Sequence, residues 1–354
     1  MSDSVCEALI KGVLIVLLSS CASKKEPIAV SGVNNNVNLT KGPVVSFPGD
    51  MLDQQSQTSS KPPYSSNYQS FFLTGTYAHS PALLKFIQYM VRQHGFSETY
   101  LNGLFSKANR LELVIKLETP EPTTGPTKPS VGSWTRYRNK FLTDDHINNG
   151  VEFWRNNAET IRRASATYGV DPEYIVGIIG VETYFGRNFG KTRIFDALTT
   201  LSFDTERRSK YFMSELESFL LMARDEHFDP LKPQGSWAGA MGYGQFMPSN
   251  FKTLAVDFNK DGKRDLWHPH DAVGSVAHYF SKSGWQMHQP VTKRISFSKD
   301  PSIIELSTYE GNEFWQIYAN FKVIKKYNNS NKYAMAVHQL AQAIKSRYQQ
   351  GSAG

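Results

Sequence analysis

Along most of this chain the apolar residues return every three or four positions, the spacing of one buried face on a helix. Pro81 opens such a pattern, with Leu84, Ile87 and Val91 on the stripe and Gly95 to stop it. Ser97 is placed to cap a second, shorter helix running through Leu104. Phe153, Trp154, Ala158 and Ile161 predict a helix that ends at Gly169. Asp171 then supplies an N-cap and Pro172 fits the first helical position. Ile175, Ile178 and Ile179 carry that helix's apolar face, and Gly186 is its expected end. Phe212, Leu216, Phe219, Leu220 and Ala223 form another stripe, closed by Pro230. Val273, Val276, Ala277 and Phe280 form the next, stopped by Gly284, and Val337, Leu340, Ala341 and Ile344 form the last. Between 290 and 320 the period shortens to alternation, as in "VTKRISFSKDPSIIELSTYEG", which predicts a small β element. No repeat of fixed period is visible. The expected fold class is mainly α, with a small β portion (α+β).

The stretches without such patterns divide the chain. Residues 22 to about 69 are rich in Ser, Asn, Gln and Pro and carry too little apolar surface to offset the entropy of ordering, so they read as a tether. "LETPEPTTGPTKPS", 117 to 130, is dense in Pro and Thr and reads as an extended connector. At the N-terminus, Lys11, the apolar run Val13 to Leu18 and the small residues after it resemble a bacterial secretory signal; the run is too short to span a membrane. Leu18-Ser19-Ser20-Cys21 resembles a lipobox, which makes Cys21 the lipidated first residue of the mature chain and removes Cys6. A plain signal peptide with an incidental Cys is the alternative. With one Cys left, no disulfide is expected, and Ala22 after it favours the outer membrane. The expected organisation is therefore a signal over 1–20, a tether over 21–70, a small helical domain with its connector over 71–130, and a main domain over 131–354 with its β segment at about 288–320.

Composition changes the picture in two ways. A formal charge of +7 suits anionic surroundings, but the basic residues are spread along the chain and no nucleic-acid motif appears, so an envelope is the better fit. Aromatic residues make up 13 %, enough for a dense core or for platforms against flat ligands. Against this background Glu182 stands out, because counting on from Ile178 and Ile179 puts it where the apolar stripe should continue. Burial there disfavours the ionised form. An ion pair with Arg187 or Arg193 is the competing reading at this point.

Two loops complete the candidate chemistry. "GSWAGAMGYGQFMPSNF", 235 to 251, brings glycines, aromatics and Gln245 together without a Lys or Arg and without the P-loop order, which counts against a phosphate loop and fits a neutral or sugar-like ligand. A tight turn packed on the core is the plainer reading. In "DFNKDGKRDLWHPHD", Asp257, Asn259, Asp261 and Gly262 hold positions one, three, five and six of an EF-hand loop. Lys263 would offer its carbonyl at position seven and Asp265 stands at nine. The twelfth position is His268 in place of the bidentate Glu, and Asp271 is the candidate replacement. The oxygen-rich set favours Ca²⁺ over zinc despite His268 and His270; an Asp/Asn/Gly turn held by its own side chains is the alternative. No activated Ser or Cys nucleophile is legible, since Ser236 lacks the G-x-S-x-G elbow.

Taken in order, "VGIIGVETYFGR", "SWAGAMGYGQFMPS", "DFNKDGKRDLW" and "YNNSNKYAMAVHQL" resemble the lytic murein transglycosylase B family, from about Phe71 to Ser346. The resemblance implies a lysozyme-like core with an EF-hand-like metal loop, a small N-terminal helical domain and a small β domain, in a lipid-anchored outer-membrane enzyme facing the periplasm. It implies that Glu182 is the single acid and base that cleaves the MurNAc–GlcNAc β-1,4 bond of peptidoglycan glycan strands and leaves a 1,6-anhydro end. By the same resemblance Ser236 lies near the N-acetyl group. Gln245, Tyr279, Tyr327, Asn328 and Tyr333 are cleft residues and Tyr137 belongs to the binding wall. A structural Ca²⁺ is held by Asp257, Asn259, Asp261, the Lys263 carbonyl and Asp271, and no organic cofactor is expected. Candidate partners besides the glycan and the membrane are cell-wall synthesis or remodelling proteins. Two rival functions are a hydrolytic muramidase using the same Glu and a non-catalytic peptidoglycan-binding lipoprotein.

Overall fold

Local signals set the first helices. In the computed structural model, which describes residues 67–119 and 130–351, helix α1 (Pro81–His94) starts where Ser80 Oγ accepts from Leu83 N and ends on Gly95 in the left-handed conformation. Ser97 caps α2 (Glu98–Phe105) through the Tyr100 N–H. A third helix, α3 (Glu112–Glu118), occupies residues whose pattern was too short to read. The signal, Cys21 and most of the tether lie outside the described residues, as does the connector from 120 to 129.

After the connector come α4 (Ser133–Arg138), α5 (Asp144–Asn156), α6 (Ala158–Tyr168) and α7 (Pro172–Thr183). The stripe from Phe153 to Ile161 thus belongs to two helices and not one. Asn157 breaks it, with φ −120° and ψ 22°, and its side-chain amide donates back to Phe153 O at 2.9 Å. Next are β1 (Thr192–Arg193), α8 (Ile194–Phe203), α9 (Ser209–Asp225) and β2 (Gln234–Gly235), then α10 (Pro248–Leu254) and α11 (Pro269–Lys282). Strands β3 (Thr292–Ile295), β4 (Ile303–Thr308) and β5 (Gly311–Ile317) form an antiparallel sheet in the order β3-β5-β4, where the alternation predicted it. Helices α12 (Ala319–Tyr327) and α13 (Asn331–Gln350) close the fold. The short β1–β2 pair, Thr192 opposite Gly235, had no sequence signal.

The N-terminal helices are fastened to α8, α9 and the turn between them by part-buried polar contacts. Tyr77 donates to Asp204 at 2.6 Å, Asn109 N donates to Asp196 at 3.0 Å, and the fully buried Glu118 accepts from Arg208 Nε at 2.8 Å and Arg207 Nε at 3.3 Å. Phe105 meets Phe195 with ring centres 5.1 Å apart across the same junction.

The centre of the fold is α7, every residue of which from Glu173 to Thr183 is buried. It packs along α13, and a Cβ on Gly177 would stand 3.0 Å from Ala341 Cβ and 3.1 Å from Val337 O. The helix ends earlier than Gly186: Tyr184 and Phe185 both turn left-handed, with φ 52° and 58°. Tyr184 N bonds Gly180 O at 3.1 Å and Phe185 N bonds Ile179 O at 3.3 Å, closing the end as a C-terminal αL residue does. Packing supplies the reason, because Phe185 folds back beneath Gly180, where a Cβ would lie 2.6 Å from its ring. Gly177→Val is expected to lower stability by about 1–3 kcal/mol through overpacking between α7 and α13, read as a fall in thermal midpoint. A midpoint equal to the wild type's would show that this seam has slack.

Candidate active site

Glu182 sits in the last turn of α7, 7 % exposed. The competing ion pair is not made: Arg187 bonds Glu152 at 3.0 Å and Arg193 bonds Asp196 at 2.8 Å. Instead Glu182 Oε1 accepts from the Tyr333 hydroxyl at 2.6 Å, and Oε2 is buried without a partner. Burial pushes the carboxyl pKa up to about 8, against the opposing pull of the Tyr333 hydrogen bond. At neutral pH the group is therefore mainly the neutral acid. Because Oε1 accepts the hydrogen bond of the Tyr333 hydroxyl, the acid's own proton belongs on Oε2.

The tyrosines named from the sequence gather around this group. Tyr333 is wholly buried in the first turn of α13. Tyr137, Tyr327 and Tyr333 all have raised hydroxyl pKa values, from burial first and then from the negative charge of Glu182, which places the three in the acid's field. Tyr327 donates to Gly244 O at 2.5 Å and its ring meets that of Tyr279, 4.5 Å between centres. Asn328 is buried at the end of α12 with its side-chain carbonyl unpartnered.

The glycine-rich loop is tied to the acid's helix by the residue next to Glu182. Thr183 Oγ1 donates to Tyr243 O at 3.0 Å and accepts from Gly186 N at 3.1 Å. Gly244 is needed for close approach, since a Cβ there would lie 2.8 Å from the Tyr327 hydroxyl oxygen. Gln245 has φ 51°, and its amide donates to Gly242 O at 3.1 Å and Phe189 O at 3.3 Å, so it braces the loop. Ser236 Oγ accepts from Ala240 N at 3.0 Å and Ala238 N at 3.3 Å. Among the described residues neither Ser236 nor Gln245 bonds Glu182.

Contacts from further along the chain were missed by sequence reasoning. His146 is buried with Nε2 3.0 Å from Gly180 O; burial lowers its pKa to about 4, so the ring is neutral and Nε2–H is the donor. It thereby holds the turn of α7 that carries Glu182. Trp134, wholly buried, stacks near Tyr137 at 6.5 Å and leaves its indole N–H unpartnered.

In the second loop the carboxylates of Asp257, Asp261 and Asp271 each offer an oxygen within 4.8 Å of the others. Among the described residues none of the three is in an ion pair, and their hard oxygen donors fit a hard cation. Asn259 Oδ1 lies in the same turn, accepting from Asp261 N at 3.1 Å. Asp271 is fully buried and accepts from Phe258 N, Asn259 N and Asp265 N at 2.8, 3.1 and 2.9 Å. His268 points elsewhere, its Nδ1 accepting from His270 N at the start of α11.

The family model described as the transglycosylase SLT domain matches residues 78–303 and 296–342. The chain is 42 % identical to membrane-bound lytic murein transglycosylase B of Escherichia coli (strain K12), over 94 % of this chain and 95 % of that one. The Escherichia coli lytic transglycosylase Slt35, solved in complex with calcium, superposes with a TM-score of 0.73 at 43 % identity, covering 81 % of this chain and 99 % of that one. SltB3 of Pseudomonas aeruginosa, solved in complex with NAG-anhNAM-pentapeptide, gives a TM-score of 0.63 at 25 % identity over 73 % of this chain and 77 % of that one. The lysozyme-like fold of these neighbours is the fold found here. With an acid-bearing helix, its tyrosine partners and this likeness in place, the chain is an enzyme of the lytic murein transglycosylase B family.

Proposed function

We propose that this enzyme cleaves the MurNAc–GlcNAc β-1,4 bond of peptidoglycan with Glu182 as the only acid and base, and closes a 1,6-anhydro ring on MurNAc. The observation that carries this reading is the half-satisfied, buried Glu182. Its Oε2 proton passes to the glycosidic oxygen as the bond to C1 breaks, and the sugar's N-acetyl group stabilises the cation. The carboxylate so formed, still held by the Tyr333 hydroxyl, takes the proton of the C6 hydroxyl. O6 then bonds C1, and no water is consumed. A retaining glycosidase needs a second carboxylate about 5 Å from the first, yet no other carboxylate is among the groups that shift Glu182. The anhydro sugar in the SltB3 complex supports the same product. Tyr137, Tyr279, Tyr327, Tyr333 and Asn328 would line the cleft, with Ser236 and Gln245 in its loop wall.

The cluster of Asp257, Asp261 and Asp271, with Asn259 and the Lys263 carbonyl, would hold Ca²⁺, which supplies charge neutralisation and rigidity and no step of the reaction. The calcium complex of Slt35 supports this choice of ion. We further propose that Cys21 carries lipid and anchors the enzyme to the outer membrane, facing the periplasm, with 71–130 as a separate small helical domain. No helix among the described residues is long and apolar enough to cross a membrane.

Glu182→Gln keeps an acceptor for Tyr333 and removes the proton, so turnover of purified peptidoglycan should fall on the order of 10²–10⁴-fold. Mass spectrometry of wild-type products should show anhydro-MurNAc ends; reducing MurNAc ends would instead establish the hydrolytic muramidase. Since the protonated form acts first, kcat/KM should hold below the Glu182 pKa and decline as pH rises through about 8. An alkaline limb unchanged in position when Tyr333 is replaced by Phe would assign that limb to another group. Ca²⁺ at about a hundred times its Kd should stabilise the fold by about 2.7 kcal/mol, and Asp257→Asn with Asp261→Asn should abolish that gain in thermal midpoint while leaving the Asp271 contacts in place.

A further inference from the structure

The last turn of α7, which carries Glu182, is held from two sides. Thr183 ties it to the glycine-rich loop through Tyr243 O. The other side faces α5, where His146, Asn149, Gly150 and Phe153 share one face by helical spacing. His146 Nε2 is 3.0 Å from Gly180 O, Asn149 donates to the Tyr184 hydroxyl, and the Phe153 ring centre lies 5.9 Å from that of Phe185. A Cβ on Gly150 would meet Ile344 Cδ1 and stand 2.9 Å from Phe185 Cζ, so α5 touches α13 as well. Arg347 of α13 completes that link, donating to Asp144 Oδ1 at 2.7 Å and to Asn148 Oδ1 at 2.8 Å. Helix α5 is therefore fastened to both helices of the seam in which Tyr333 and Glu182 meet.

Among these contacts from α5, the His146 bond reaches the backbone of the turn itself. Gly180 O already accepts from Tyr184 N at 3.1 Å, so the helix needs no second donor to be satisfied there. A carbonyl has two lone pairs and takes both. The second bond thus serves position, in a turn that ends on the strained residues Tyr184 and Phe185. His146 is itself well fixed. Its backbone N–H donates to Thr143 Oγ1 at 3.2 Å, and its ring centre lies 4.5 Å from Tyr184, 5.3 Å from Phe185 and 5.9 Å from Phe141. It makes no hydrogen bond to Glu182 among the described residues, and it is not among the groups that shift that carboxyl. Any effect on the acid passes through the backbone.

We infer that His146 is a positioning residue for the proton transfer: by holding Gly180 O, its Nε2–H keeps the Glu182 carboxyl on the Tyr333 hydroxyl. This rests on the catalytic reading of Glu182 given above. The donor carries the role, and the aromatic packing around the ring serves to aim it. Displacing an acid by about 1 Å can cost on the order of a hundredfold in rate. The glycan itself is not touched by His146 in this reading, so the cost falls on turnover and not on affinity.

The test uses the full chain with His146→Phe, which keeps a ring and loses the donor, and with His146→Gln, which keeps a donor and loses the ring. On purified peptidoglycan, below each variant's thermal midpoint, His146→Phe should lower kcat about ten- to a hundredfold at unchanged KM. His146→Gln should regain most of that loss. In the Glu182→Gln background His146→Phe should have no further effect, because the group it positions is already gone. A loss repeated in full in that background, a wild-type kcat in His146→Phe, or a His146→Gln enzyme as slow as His146→Phe overturns the role and leaves His146 to stability alone. His146→Leu takes the place of His146→Phe where the latter does not fold. Glu182→Gln by itself reports on the catalytic reading: wild-type turnover there would end that reading whatever the His146 variants do.

Discussion

The proposed chemistry depends on burying one carboxyl group, that of Glu182, in the seam between α7 and α13. An isolated carboxylate there would cost several kcal/mol or neutralise itself by taking a proton. The other buried glutamates of the same chain show what distinguishes it. Burial pushes the Glu118 carboxyl up, but the hydrogen bonds and charge of Arg208 and then Arg207 more than reverse this, and it is an ionised strut. Glu215 is raised by burial, yet both its oxygens are used, by Ser249 N and Ser249 Oγ at 2.8 Å each. Glu173 leaves its Oε2 open too, but its Oε1 is paired with the Lys345 ammonium at 2.7 Å. Glu182 combines an open oxygen with a neutral hydroxyl partner. A guanidinium in place of Tyr333 would have made another strut; a second partner would have occupied the proton.

Holding that arrangement takes strain. Tyr184, Phe185 and Gln245 all adopt left-handed backbone, a conformation that costs non-glycine residues of order 1–3 kcal/mol each. The surroundings over-determine these positions. Phe185 is clasped by Phe153 and His146, with ring centres at 5.9 and 5.3 Å, and Tyr184 accepts from Asn149 at 2.5 Å while its ring meets His146 at 4.5 Å. The helix is stopped one residue past Glu182, so the carboxyl lies at the mouth of α7 rather than within its length. A glycine at 184 would have ended the helix at lower local cost but without the aromatic ring that fixes its direction.

How much of this was legible follows from contrast along the chain. Stripes at α9, α11 and α13 were readable because one face is polar, and Glu182 was readable because it interrupts an apolar run. At α1 the helix was read but its face was not, since Leu84 is exposed and Leu83, Phe86, Ile87 and Met90 are the buried side. Helix α8 was not readable: nearly all of "IFDALTTLSF" is buried, so no polar face marks its period. The Asn157 break was invisible because two short helices happen to continue one stripe. The Tyr333–Glu182 bond joins residues 151 apart, and nothing in local pattern pairs them; only the family resemblance did so. The oxygen-rich loop was visible in its spacing because its donors come from fifteen consecutive residues. His146 and Trp134 carry no such signal, since a lone His or Trp on an apolar face looks like core.

The oxygen-rich loop and Glu182 are linked by a continuous run of hydrogen bonds through side chains and backbone. Asp271, at the start of α11, takes the N–H groups of Phe258, Asn259 and Asp265 and so fixes both ends of the loop to one helix. Leu266, the next residue, accepts from Tyr243 N at 3.0 Å, and Tyr243 O accepts from Thr183. Thr183 is the neighbour of Glu182. Helix α11 also carries Tyr279, which meets Tyr327, and Tyr327 holds Gly244. The glycine-rich loop is thus gripped from two sides by groups that descend from the same helix, and between Gly239 and Met247 its own regular structure is limited to the Met241–Phe246 bridge. A cation among Asp257, Asp261 and Asp271 would remove the mutual repulsion of the carboxylates at the root of this grip. Its contribution would then be to the placement of the glycine-rich loop, and none to the proton transfers proposed for Glu182.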